Sequence, residues 1–134
     1  MKTYFLFFVV LITGFFISGQ SDAQEQEKAG DVYLEVDEMP VFPGGEMALR
    51  TYIASNVEYP EKAKKEGIVG KVFVSFVINE KGEVTGVKVV KGVDPLLDKE
   101  SIRVVSGMPA WQPGKKDGKV VKVQYTIPIQ FALK

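Results

Sequence analysis

The chain has 134 residues, and 17 Lys and Arg balance 17 Asp and Glu, so the basic excess of a nucleic-acid-binding domain is absent and no nucleic-acid partner is expected. It contains neither cysteine nor histidine, which excludes disulfides, thiol chemistry, a lipid-modified N-terminal cysteine, Cys or His metal ligation, a histidine-based triad and an imidazole pH switch. With histidine and cysteine absent, the commonest general base and nucleophile types are thinned out, and the chain reads as a non-enzyme without a cofactor.

Met1 and Lys2 give a minimal positive start, residues 4–17 are apolar apart from Thr13 and Gly14, and Ser21-Asp22-Ala23 sets small residues before a cleavage point at Gln24. Residues 1–23 therefore read as a secretory signal peptide. The alternative is an uncleaved inner-membrane anchor, but the apolar run is roughly fourteen residues against the ~20 that a spanning helix needs. Either way the remainder, about a hundred residues, is expected to cross the inner membrane and to suit one small domain.

Residues 24–43 read as a linker. Residues 24–30 are polar, residues 31–36 alternate weakly as a short strand would, and Pro40 and Pro43 bracket Val41-Phe42 ahead of Gly44-Gly45. Fully extended, a linker of about twenty residues reaches at most ~70 Å.

Residues 44–134 read as the folded domain. Residues 46–56 form a helix with Met47, Leu49, Tyr52 and Ile53 on its apolar face and Gly44 or Gly45 at its start. Pro60 fits the first position of a short helix over residues 61–66, with Gly67 in the left-handed conformation after it. Residues 68–78 are a strand with two fairly apolar faces, which suits a central position. Residues 79–82 turn the chain into a return strand over 84–91. Asp94 caps a second long helix with Pro95 at its first position. Leu97, Ser101, Val104, Val105 and Met108 form its core stripe, and Gly107 and Pro109 end it. Trp111 closes one end of the core, and residues 113–119 read as a solvated loop without the spacing of a phosphate-binding motif. Asp94 and Asp98 read as a helix cap and a first-turn acid rather than a catalytic pair.

The last stretch is the most ordered pattern in the chain. Val121, Val123, Tyr125, Ile127, Ile129, Phe131 and Leu133 alternate with Lys122, Gln124, Thr126, Pro128, Gln130 and Ala132. That is a strand with one buried face. Pro128 has no N–H to give to a ladder, which points to an edge strand. The order of elements predicts an α+β fold, an antiparallel three-stranded sheet with two helices on one face. Its exposed edge either simply completes the sheet or pairs with another chain.

Tyr59-Pro60, the strand from Gly70 to Ile78, Gly82-Glu-Val84, Leu97-Asp98, Met108-Pro-Ala-Trp111-Gln-Pro113-Gly114 and Ile127-Pro-Ile129 with Phe131 together resemble the TonB C-terminal domain, over residues 59–134. Phe42-Pro-Gly-Gly45 with Ala48-Leu49 is similar to the stretch that precedes that domain in TonB-like proteins of the Bacteroidetes type. The resemblance implies a periplasmic energy transducer that meets TonB-dependent outer-membrane transporters by β-augmentation, taking up a transporter's TonB box beside its last strand. The implied partner-binding positions are Val121, Lys122, Val123, Gln124, Tyr125, Thr126 and Ile127, with Pro128 limiting the pairing, and Glu58, Tyr59 and Pro60 near the docked segment. Where the family often has glutamine before Tyr-Pro, this chain has Glu58. The resemblance also implies inner-membrane proton-driven motor proteins as partners, although the anchor is short and lacks a histidine, and the connector is short. The alternative is a periplasmic scaffold, a homodimer joined through the same edge strand without energy transduction.

Overall fold

The sheet is built outward from a strand whose alternate residues have nowhere to go but inward. In β2 (Gly70–Ile78) the side chains of Val72, Val74, Phe76 and Ile78 are fully buried. β5 (Lys119–Phe131) answers them with Val123, Ile127, Ile129 and Phe131, all buried on the same face. The two strands pair antiparallel from Gly70 with Phe131 to Ile78 with Val123, without a register shift. β3 (Val84–Lys91) pairs antiparallel on the other side of β2, with irregularities beside Val74 and Val77. This three-stranded antiparallel core and the helices over its buried face are as the sequence predicts. The computed structural model describes residues 31–133, and the compact unit that holds the sheet begins at Val32. The signal peptide or anchor expected over residues 1–23, and the polar start of the linker over 24–30, lie outside the described residues.

Three helices supply the second layer. α3 (Pro95–Ser106) starts where Asp94 Oδ2 accepts from the Leu96 N–H at 2.9 Å, with Pro95 in its first turn. Leu97, Ser101, Val104, Val105 and Met108 are all buried, and Ser101 satisfies its hydroxyl on the Leu97 carbonyl at 2.8 Å. α1 (Glu46–Asn56) buries Leu49 and is tied to α3 by the Tyr52 hydroxyl, which donates to the Val104 carbonyl at 3.0 Å. The short α2 (Glu61–Lys65) contributes Ala63 to the core, with Pro60 just before it as its N-cap rather than at its first position.

Two expectations are corrected. The sheet has two further strands. β1 (Val32–Tyr33) lies parallel to β5, giving the order β1-β5-β2-β3, and β4 (Gly114–Lys116) forms a hairpin with the start of β5. Residues 113–119 are therefore not a plain loop. Asp117 and Gly118 take φ of 53° and 80°, the left-handed pair that a two-residue hairpin turn demands. Residues 32–43 are not a detached linker either. Glu38 bridges to Lys115, Val41 bridges to Gln112, and Phe42 is buried. The Phe42 ring meets Trp111 edge-on at 5.5 Å and Tyr52 at 5.6 Å, so an aromatic cluster draws this segment into the core.

Trp111 in turn is held by the tip of the β2–β3 hairpin. Its backbone N–H donates to the Gly82 carbonyl at 2.7 Å, and a Cβ on Gly82 would stand 1.9 Å from the Trp111 oxygen. Replacing Phe42 with alanine is expected to lower the stability of the unit by about 3 kcal/mol or more, read from the urea midpoint. A surface linker at this position would leave the midpoint unchanged.

Candidate functional site

A strand edge is defined by which backbone groups remain free. Pro128 faces Phe73 in the β2–β5 ladder, and regular pairing continues on both sides of it through Ile127 with Val74 and Ile129 with Val72. A proline nitrogen is tolerated there when it faces away from the neighbouring strand. Residues of the same parity as Pro128 therefore direct their backbone groups outward: Lys122, Gln124, Thr126 and Gln130. Consistent with this parity, Lys122 lies opposite Val32 on the outer side, and Val123 lies opposite Tyr33.

The positions singled out in β5 thus fall into three groups. Val121 belongs to the β4 hairpin, opposite Gly114. Lys122 and Val123 have their outer side taken by β1, so the edge is not open over the whole of residues 121–127 as the sequence leads one to expect. Gln124, Tyr125, Thr126 and Ile127 lie beyond β1, where among the described residues no strand pairs with the outer edge. Thr126 is exposed, Ile127 is buried, and Tyr125 is half-buried against Trp111 at 5.3 Å and Phe76 at 5.9 Å. Burial raises the Tyr125 hydroxyl above its ordinary pKa, and the Glu46 carboxylate adds to the rise.

Beside this open stretch α1 forms a wall. One cavity of about 240 Å³ lies between Phe42, Leu49, Trp111 and Tyr125. A second of about 220 Å³ lies between Leu49, Ile53, Ile127 and Pro128. Glu46 lines both. Sequence reading missed this wall because α1 shows only an uneven apolar face, and its relation to β5 depends on Phe42 being drawn inward. The weak alternation of residues 31–36 and the Asp-Gly pair at 117–118 were the available signals for β1 and β4.

Glu58, Tyr59 and Pro60 are placed elsewhere. They line a groove of about 570 Å³ together with Leu96, Glu100 and Arg103 of α3, and no β5 residue lines it. Glu100 accepts from the Glu58 N–H at 2.7 Å and from Arg103 Nε and Nη2 at 2.8 and 2.7 Å. Arg103 also donates to the Asn56 carbonyl at 2.7 Å. The Tyr59 ring meets Phe131 edge-on at 5.5 Å, and its hydroxyl donates to the Ile68 carbonyl, which fixes it at the far end of β5. Asp98 accepts from the Val93 N–H at 3.0 Å, so Asp94 and Asp98 both serve the backbone at the start of α3. Among the described residues no cluster of three or more acidic side chains stands at metal-holding distance, and no helix is long and apolar enough to cross a membrane.

This three-stranded antiparallel core with its closing β5 is a recognisable family property. The family described as the Gram-negative bacterial TonB protein C-terminal matches residues 55–133. The chain belongs to the TonB C-terminal family. It is 35% identical over 89 residues to Protein TonB of Helicobacter pylori strain 26695, covering 66% of this chain and 30% of that protein. Protein TonB of strain J99 gives the same identity and coverage. The chain thus spans about 30% of the length of these curated relatives. The solution structure of the Helicobacter pylori TonB C-terminal domain superposes with a TM-score of 0.51 at 34% identity, covering 66% of this chain and 79% of that one. The family match begins at residue 55, in the last turn of α1, while the match to the Helicobacter pylori proteins is longer, at 89 residues.

The hydrogen bonds from Arg103 hold the Glu100 carboxyl below its ordinary pKa, helped by the Glu58 N–H. A carboxylate depressed on folding stabilises above its unfolded pKa, and that stability is lost as pH falls through the folded value. Glu100→Gln is expected to lower stability at neutral pH by at most about 1 kcal/mol, read from the urea midpoint, and the gap to the wild-type chain should close in acid. A gap that persists at low pH would show that the carboxylate's charge is not what ties residue 58 to α3.

Proposed function

We propose that this TonB-family domain takes up an extended segment of a TonB-dependent outer-membrane transporter by strand addition, as part of energy-coupled transport rather than catalysis. The incoming strand pairs with the outer edge of β5 at Gln124, Tyr125, Thr126 and Ile127. The observation that carries this is the run of outward backbone groups between β1 and Pro128 that no described strand uses. Main-chain pairing supplies affinity in such complexes, and alternate side chains supply register. β1 supports the reading, because it is already a parallel strand on the same side of β5. Its departure would lengthen the open edge back to Val123 and Lys122. Val121 then borders the docked strand, while Glu58, Tyr59 and Pro60 offer a second contact on the α3 side.

The proposal places the domain in the periplasm, with residues 1–23 as an export signal or short anchor. Force reaches it from inner-membrane motor proteins, directly or through an anchored companion. Titrating the protein with a TonB-box peptide is expected to shift the amide signals of Gln124, Tyr125, Thr126 and Ile127. Thr126→Pro removes an outward N–H on the side that Pro128 already lacks, so the fold should survive while the peptide binds about tenfold more weakly. A titration that leaves those amides unmoved counts against docking at this edge.

A further inference from the structure

We propose that α1 selects what docks: the incoming strand must carry two apolar side chains two residues apart, one for each cavity between α1 and β5. This rests on strand addition at β5. The odd-numbered residues of β5 point into the helix layer, where Ile127, Ile129 and Phe131 are buried. A strand added alongside follows the same pleat, with same-face side chains about 6.6 Å apart. Tyr125 lines the first cavity and Ile127 the second, so the cavities follow one another with that spacing. An added strand therefore meets them at positions i and i+2, whichever way it runs.

The cavities fit side chains of this kind. At about 240 and 220 Å³ they exceed the ~150 Å³ that holds a benzene in an apolar protein cavity. The first is walled by Phe42, Leu49 and Trp111, and the second by Leu49, Ile53 and Pro128 with Arg50 at its side. Glu46 is the acidic group that both share, and its pairing with Arg50 is at the long distance of 3.8 Å between exposed side chains. A carboxylate on the incoming strand would face Glu46 without a lining cation at the first cavity and be rejected there, whereas at the second cavity it would also meet Arg50.

The test uses the full chain and short synthetic peptides in a Ser/Thr background, with Leu at i and i+2, Leu at i and i+3, or Asp or Ala in place of either Leu. Calorimetry gives affinity, and amide shifts in β5 report where each peptide binds. The i, i+2 peptide should bind about tenfold more tightly than the i, i+3 peptide, and the Asp peptide whose carboxylate meets the first cavity more weakly still. Ile53→Trp, which fills the second cavity, should remove the advantage of Leu over Ala at one of the two positions only. Arg50→Trp, at an exposed lining position, serves if Ile53→Trp fails to fold. Equal affinities for the two spacings, with the amides of Gln124 and Thr126 still shifting, would overturn selection by α1 while leaving strand addition standing. No shift in β5 with any peptide would overturn both.

Discussion

The unbroken pairing of β2 with β5 is the constraint on which the rest of the domain depends. Nine residue pairs, from Gly70 with Phe131 to Ile78 with Val123, set one register. A slip by one residue would turn either Val72, Val74 and Phe76 or Ile127, Ile129 and Phe131 away from the core, so burial on one face strongly favours that register over its neighbours. With the register fixed, Pro128 must turn its nitrogen outward, and the parity of every free backbone group along β5 is settled. The character of the edge is thus a consequence of core packing by the side chains of the same strand.

A second set of contacts decides how much of that edge is left. Phe42, Trp111, Tyr52 and Tyr125 form a linked aromatic group, and through it the stretch before α1 is folded against the end of the sheet. Trp111 reaches the β2–β3 hairpin through Gly82, so one residue joins the lead-in, the hairpin and β5. At the other end, the Arg103–Glu100 pair and the Glu58 N–H tie the connection between α1 and α2 to α3. The two ends are built from different chemistry, apolar rings at one and charge-assisted hydrogen bonds at the other.

Much of this was legible in the residues. The alternation from Val121 onward, the stripe from Leu97 to Met108 and the Asp94-Pro95 start each belong to an element whose period or cap is local, and local signals survive in sequence. The family resemblance pointed to the same antiparallel core. β1 and β4 were less legible because each is two or three residues long and owes its existence to a partner strand. Phe42 sat between prolines and glycines, a turn signature that says nothing of where its ring goes. The separation of Glu58, Tyr59 and Pro60 from the open part of β5 is a tertiary fact, set by α3 and by the contact of Tyr59 with Phe131.

The parallel docking of β1 has a mechanical consequence. Tension on the chain ahead of Val32 bears first on two residue pairs, whereas the body of the domain is held by nine in the β2–β5 ladder alone. Under load the shorter junction yields first. Peeling Val32 and Tyr33 from β5 would uncover Lys122 and Val123 while the sheet behind them stays intact.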